Sequence, residues 1–299
     1  MKKRLKIILR SMLFVPGSRP ERIDKAAATA ADAVIVDLED AVAVDAKETA
    51  RATACAKRAR HPERLFWVRV NGLDTGFFED DLKAVAAAGV DGVMVPKIET
   101  PQQVAQVLSA LEECIDRSAG DGSGPMVAAL IESALGVQNA FAVASAGAQS
   151  RRFLTLALGA ADFTADMGID MTAEAFELHY PRARLAVACR AAGLAAPLDT
   201  PYMIAVKDSE GVTRDAVCAR RLGFQGKLCI HPLQISPVNS VFSPGEAEIA
   251  FARKVCAAFE SAQTRGQAAV TVDGRFVDPP VVERARQISR WLENQEKGS

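Results

Sequence analysis

Short apolar runs alternate with Ala-rich amphipathic stretches along most of the chain. The runs fall at residues 12–15, 33–37, 65–70, 92–95, 127–131, 153–158, 196–199 and 227–230. Most are uniformly apolar rather than alternating, the pattern of strands covered on both faces of a parallel sheet. Between them a 3.6-residue period predicts helices over 21–31, 46–59, 78–88, 101–114, 134–145, 175–192 and 211–222. The punctuation agrees, with Thr100 ahead of Pro101 at one helix start and Gly89, Gly193 and Gly223 at helix ends. Eight strands joined by helices predict an α/β fold of the (β/α)8 TIM-barrel type. An open doubly wound sheet, which ordinarily has fewer strands, is the competing architecture. The remaining chain reads as a helix over 244–260, a strand over 270–272, a turn at Asp273-Gly274 and a helix over 280–293. The expected division is therefore a barrel over 1–242 and a small C-terminal lid extension over 243–299.

Composition narrows the function more than the fold. The 299 residues carry 36 Lys+Arg against 37 Asp+Glu, so no global charge excess points to nucleic acid or an anionic membrane surface. No apolar stretch reaches the 18 or so residues of a membrane span, and the run Ile7-Ile8-Leu9 is too short for a secretory core, so a cytoplasmic location is expected. The six cysteines form no C-x-x-C pair and the three histidines are far apart, which argues for reduced thiols and against structural zinc.

The chemistry gathers where the apolar runs end, the face on which barrels carry their active sites. Strand two ends in Asp37-Leu38-Glu39-Asp40, strand three in Arg69-Val70-Asn71, strand four in Pro96-Lys97, strand five in Glu132-Ser133, strand six in Gly159-Ala160-Ala161-Asp162, strand seven in Asp199 and strand eight in His231-Pro232. Charges converging on one ring need compensation, and a divalent cation with an anionic substrate supplies it. Glu132 and Asp162 offer hard oxygen ligands suited to Mg2+ or Mn2+. Glu39 and Asp40 can hold water on the ion. Arg69 is the fork that pairs with a carboxylate or an enolate oxygen. Gly159, Ala160 and Ala161 leave backbone N–H groups open to a substrate carboxylate. Plainer roles stay open: Glu132 and Asp162 as helix-start charges, His231 bonded to backbone, Lys97 as a charge partner of the acids, and Arg19, Arg22 and Lys25 as a solvated helix face.

These motifs, together with Met12-Leu13-Phe14-Val15-Pro16-Gly17-Ser18-Arg19, Asp40-Ala41-Val42, Val95-Pro96-Lys97 and Glu132-Ser133-Ala134-Leu135-Gly136, resemble the citrate lyase beta-subunit-like and malyl-CoA lyase family of the HpcH/HpaI aldolase superfamily. The resemblance runs in order over nearly the whole chain. It implies a Mg2+-dependent lyase that cleaves or forms the C–C bond between an acetyl or propionyl thioester and an α-keto acid. It further implies Glu132 and Asp162 as metal ligands, Arg69 as stabiliser of the thioester enolate, and Arg19 with Lys25 as holders of coenzyme A phosphates. Phe276-Val277-Asp278-Pro279-Pro280 resembles the family's lid, which implies an acid/base role for Asp278 in a neighbouring subunit's site and hence a homotrimer or other homo-oligomer. Cys229-Ile230-His231-Pro232 and Phe242-Ser243-Pro244 resemble the stand-alone acyl-CoA lyases. The alternatives are a citrate lyase beta subunit acting on a citryl-acyl-carrier protein, a malyl-CoA thioesterase, a non-catalytic assembly subunit and a CoA-independent pyruvate aldolase.

Overall fold

The fold is seen in a computed structural model that describes residues 9–115, 124–263 and 269–298. Eight parallel strands close into a barrel: β1 Ser11–Pro16, β2 Ala33–Asp37, β3 Leu65–Arg69, β4 Gly92–Val95, β5 Met126–Ile131, β6 Phe153–Leu158, β7 Leu198–Asp199 and β8 Gly226–Cys229. Each strand pairs with the next, and β8 pairs back onto β1 through Met12 and Leu228. The strands are buried on both faces because alternate side chains enter two apolar layers. Met12, Ile35, Trp67, Met94, Leu130 and Leu228 belong to one. Leu13, Val34, Val36, Val68, Val93 and Ile131 pack with the helices in the other. Trp67 fills the first layer at the cost of fixing Gly92, where any Cβ would run into the indole ring.

Helices follow the predicted places with local differences. The stretch expected as one helix over 134–145 is two, Ala134–Gln138 and Ala140–Gly147, separated at Asn139, whose amide donates to the Glu99 carbonyl at 2.9 Å. Helices Ala160–Met167 and Ile235–Phe242 were not legible in the sequence; each spans eight residues, too short for a clear period. The weakest strand, β7, keeps two residues, and its neighbourhood is tied by charge instead. Behind it the fully buried Arg182 donates to Asp199 and Asp215, and Lys227 Nζ lies 2.5 Å from both carboxylates.

The barrel unit ends at Phe242 and a second unit runs from Ser243. The second unit pairs helix Glu246–Gln263 with helix Pro279–Gly298 around Val255, Phe259, Val277 and Val282. Strands β9 Val270–Val272 and β10 Arg275–Val277 form a hairpin turned by Asp273 and Gly274, both at positive φ as a two-residue type I′ turn requires. Only the first of these strands was expected. No helix among the described residues is long and apolar enough to cross a membrane.

Candidate active site

The site begins at the end of β2. Asp37 is buried, and its carboxylate accepts the N–H groups of Glu39 and Ala41 at 3.0 and 3.3 Å, which turns the following loop back over the strand end. Residue Arg69 stands opposite Asp37 in the β2–β3 register, so its guanidinium meets that carboxylate side-on. Nε donates to Oδ1 at 2.7 Å and Nη2 to Oδ2 at 2.6 Å, the paired geometry that fixes a guanidinium most firmly. Phe14 lies under it, 5.1 Å from ring centre to Cζ. Burial works against the charge, but Asp37, Glu39 and Asp40 outweigh it and hold Arg69 above its ordinary pKa.

The remaining nitrogen, Nη1, is 2.9 Å from Glu39 Oε2, while Glu39 Oε1 is 2.9 Å from Lys97 Nζ. Oε2 is buried and has no directed hydrogen bond. Burial raises the Glu39 pKa although Arg69 and Lys97 both pull it down. The exposed Asp40 is looser, 3.7 Å from Arg69 and 3.9 Å from Lys97. Glu39, expected to be available to water on an ion, is thus engaged by two cations.

Lys97 follows β4 with φ 56°, a left-handed backbone rare for a side chain other than Asn, Asp or Gly. Its N–H donates to Glu132 Oε1 at 2.7 Å, and its ammonium, paired with Glu39, is held above its ordinary pKa. Glu132 leaves the end of β5 and does not cap the next helix; Ser133 does, accepting the Gly136 N–H at 3.1 Å. The Glu132 carboxyl is buried, and desolvation, with the Asp162 charge second, pushes its pKa up to about 8. Room for it comes from Gly159, where a Cβ would stand 2.5 Å from Oε2 and 2.7 Å from the Glu132 Cβ. Asp162 sits in the first turn of helix Ala160–Met167, so its plainer role as a helix-start charge holds alongside any other.

Glu132 and Asp162 line a cavity of about 400 Å³ with Lys97, Asp74, Glu99 and Asp166. The donor set is oxygen alone, one member buried with its charge poorly compensated, which suits a hard divalent cation. Among the described residues no three His, Cys, Asp or Glu gather in one metal cluster.

Other expectations fare differently. The Ala160 N–H donates to the Thr200 hydroxyl at 3.1 Å and the residue is buried, so it is not open to a substrate carboxylate; Ala161, next to it in the first turn, is exposed. Arg19 and Lys25 are exposed at the two ends of helix Pro20–Ala27 and do not line the cavity. Asp278, in the second unit, caps helix Pro279–Gly298 by accepting the Val281 N–H at 3.3 Å. His231 takes its plainer role, its Nδ1 accepting the Leu233 N–H at 3.2 Å. Sequence reasoning assigns Asp37 no role, although its place opposite Arg69 in adjacent strands is the available signal.

Comparison with known proteins identifies relatives over nearly the whole chain. The family model described as HpcH/HpaI aldolase/citrate lyase matches residues 10–232. The citrate lyase subunit beta of Leuconostoc mesenteroides subsp. cremoris is 39% identical over 285 residues, covering 94% of this chain and 92% of its own length. The L-malyl-CoA/beta-methylmalyl-CoA lyase of Cereibacter sphaeroides is 36% identical over 306 residues, covering 95% and 94%. Among solved structures, CitE from Mycobacterium tuberculosis in complex with magnesium, acetoacetate and coenzyme A superposes with a TM-score of 0.76 at 32% identity, covering 96% of this chain and 98% of that one.

Proposed function

The chain belongs to the HpcH/HpaI aldolase/citrate lyase family, and on that premise we propose that it is a Mg2+-dependent acyl-CoA lyase. Its substrate is a 3-hydroxyacyl-CoA of the malyl, citramalyl or citryl type, cleaved to an acyl-CoA and an α-keto acid or formed from them. The observation that carries this reading is the pair Glu132 and Asp162 on one cavity, with Gly159 leaving space for the buried carboxylate. The magnesium and coenzyme A bound to the Mycobacterium tuberculosis protein and the thioester named for the Cereibacter sphaeroides enzyme support the choice of ion and substrate class.

Glu132 and Asp162 would hold the ion, with Mn2+ as an acceptable substitute. Bound there, a divalent cation supplies Lewis-acid polarisation of the substrate's hydroxyl or carbonyl oxygen. The chain's own groups do the rest. The Ala161 amide, at the start of helix Ala160–Met167, contributes a donor for a substrate carboxylate. Removal of the hydroxyl proton, assigned to Asp278 of a neighbouring subunit, lets the C–C bond break and the thioester depart as an enolate. Arg69, fixed by Asp37 and permanently charged, supplies the preorganised positive field that the enolate requires. Protonation of the enolate carbon by Asp278 completes the cleavage. Arg19 and Lys25 would meet the coenzyme A phosphates at the rim, and sharing Asp278 between subunits makes a homo-oligomer the working form.

A citryl thioester on a carrier protein is the second reading, favoured by the 39% identity with the Leuconostoc mesenteroides subunit. The test is a product assay with purified protein, Mg2+ and a panel of 3-hydroxyacyl-CoA thioesters, with EDTA and Glu132→Ala as controls. A metal-dependent α-keto acid plus acyl-CoA establishes the lyase and names its substrate. Free CoA without an α-keto acid would make it a thioesterase, and silence across the panel would favour the carrier-protein or non-catalytic assembly roles.

A further inference from the structure

The charges on the cavity wall are lopsided. Asp74, Glu99, Glu132, Asp162 and Asp166 face it, and Lys97 is the one cation among the described residues that line it. The α-keto acid of the proposed reaction is an anion, and a divalent ion held by Glu132 and Asp162 is already neutralised by those two. A carboxylate entering this wall therefore needs a further cation.

Arg69 is poorly placed to be that cation. Its Nε and Nη2 are committed to Asp37, Nη1 faces Glu39, and the side chain does not line the cavity. Lys97 has the opposite character. Its side chain is 51% exposed, and its ammonium has three N–H donors of which Glu39 takes one. Its backbone lies in the left-handed region with its N–H bonded to Glu132, and its ammonium is paired with Glu39. Such a conformation persists only where the surroundings over-determine it, and here the backbone N–H is fixed to the candidate metal ligand Glu132 while the ammonium pairs with Glu39.

The geometry points to Lys97 as the cation that binds the carboxylate of the α-keto acid alongside the Ala161 amide, beside the ion site rather than at the coenzyme A rim. The assignment rests on the proposed lyase reading, because that reading supplies the anionic acid. Lys97 then meets the acid's carboxylate and Arg19 with Lys25 the phosphates, while Arg69, held off the cavity wall by Asp37 and Glu39, acts on the thioester enolate only through its field.

Calorimetric titration of oxalate, a stable mimic of a 2-oxo acid, into the Mg2+-loaded protein tests it directly. Three variants are compared: Lys97→Met, Lys97→Gly, which eases the positive φ and so keeps the fold, and Lys97→Arg, which restores the charge. Thermal melting checks that each is folded. Both neutral variants are expected to bind oxalate at least tenfold more weakly, to raise KM for the α-keto acid to a similar degree and to leave KM for the acyl-CoA within twofold, with Lys97→Arg recovering most of the loss. Oxalate affinity within twofold of the parent in a folded Lys97→Gly protein overturns the assignment, even where the lyase activity is present. Lys97-dependent oxalate binding by a protein that cleaves no thioester supports the assignment while the lyase reading fails.

Discussion

Gly159→Ala tests the packing that makes the candidate metal site. The added Cβ would lie 2.5 Å from Glu132 Oε2 and 2.7 Å from Glu132 Cβ. The second contact decides the outcome. A carboxylate oxygen escapes by rotation, but a Cβ moves only with the strand that carries it, and carbon atoms settle at about 3.5–4.0 Å. Relief therefore displaces β5 and β6 by about 1 Å relative to each other. Metal sites tolerate about 0.2 Å in ligand distance, and a 1 Å misplacement typically costs about a hundredfold in rate. Overpacking of this kind destabilises by about 1–3 kcal/mol, which the fold survives. The expected result is a folded protein with Mg2+ affinity reduced at least tenfold by calorimetry and lyase kcat reduced about a hundredfold. A Gly159→Ala protein with both quantities within threefold of the parent would show that Glu132 does not need the space Gly159 leaves, and the packing explanation would fall.

Other consequences of the geometry can be measured. With the Glu132 pKa pushed up to about 8, Mg2+ must displace a proton, so apparent affinity rises about tenfold per pH unit below pH 8 and levels above it. Calorimetry in buffers of different ionisation enthalpy should find about one proton released per ion at pH 7, and none would contradict it. Because that raised value lies above the ordinary carboxylate range, the ion-free fold gains from the protonated form and loses stability as pH rises through the window from about 4.5 to 8, a loss that Glu132→Gln should remove from the thermal melts. Lys227→Met leaves Asp199 and Asp215 buried beside Arg182 alone and should cost about 3–5 kcal/mol in urea denaturation, a change under about 1 kcal/mol counting against a structural clasp. If Asp278 serves a neighbouring subunit, inactive Glu132→Ala and Asp278→Ala proteins dissociated and reassembled together should recover activity at about a quarter of their sites, and no recovery would contradict a site shared between subunits.

Much of the barrel was legible because strands buried on both faces write continuous apolar runs, and eight such runs gave eight strands. The failures were local. Asn139 divides a stretch whose period reads straight through it, because the interruption depends on the distant Glu99 carbonyl. Helix Ala160–Met167 begins on Gly159 without a side-chain cap, so the usual start signal was missing. At the site, the strand-end rule marks Glu132, Asp162 and Arg69, of which the first two share the cavity wall. Pairing was harder to read. The Asp37–Arg69 fork depends on register between adjacent strands, Thr200 reaches Ala160 across 40 positions, and the strain at Lys97 is a property of backbone angles that no residue type announces.

C–C cleavage with the thioester kept intact is the step on which everything else depends, and product stoichiometry probes it without intermediaries. A single 3-hydroxyacyl-CoA that the protein consumes should yield equal amounts of α-keto acid and acyl-CoA, with no free thiol, and the reaction should stop with EDTA and in Glu132→Ala. Stoichiometric free CoA with the hydroxy acid left whole would mean that the thioester, not the C–C bond, is what the protein breaks.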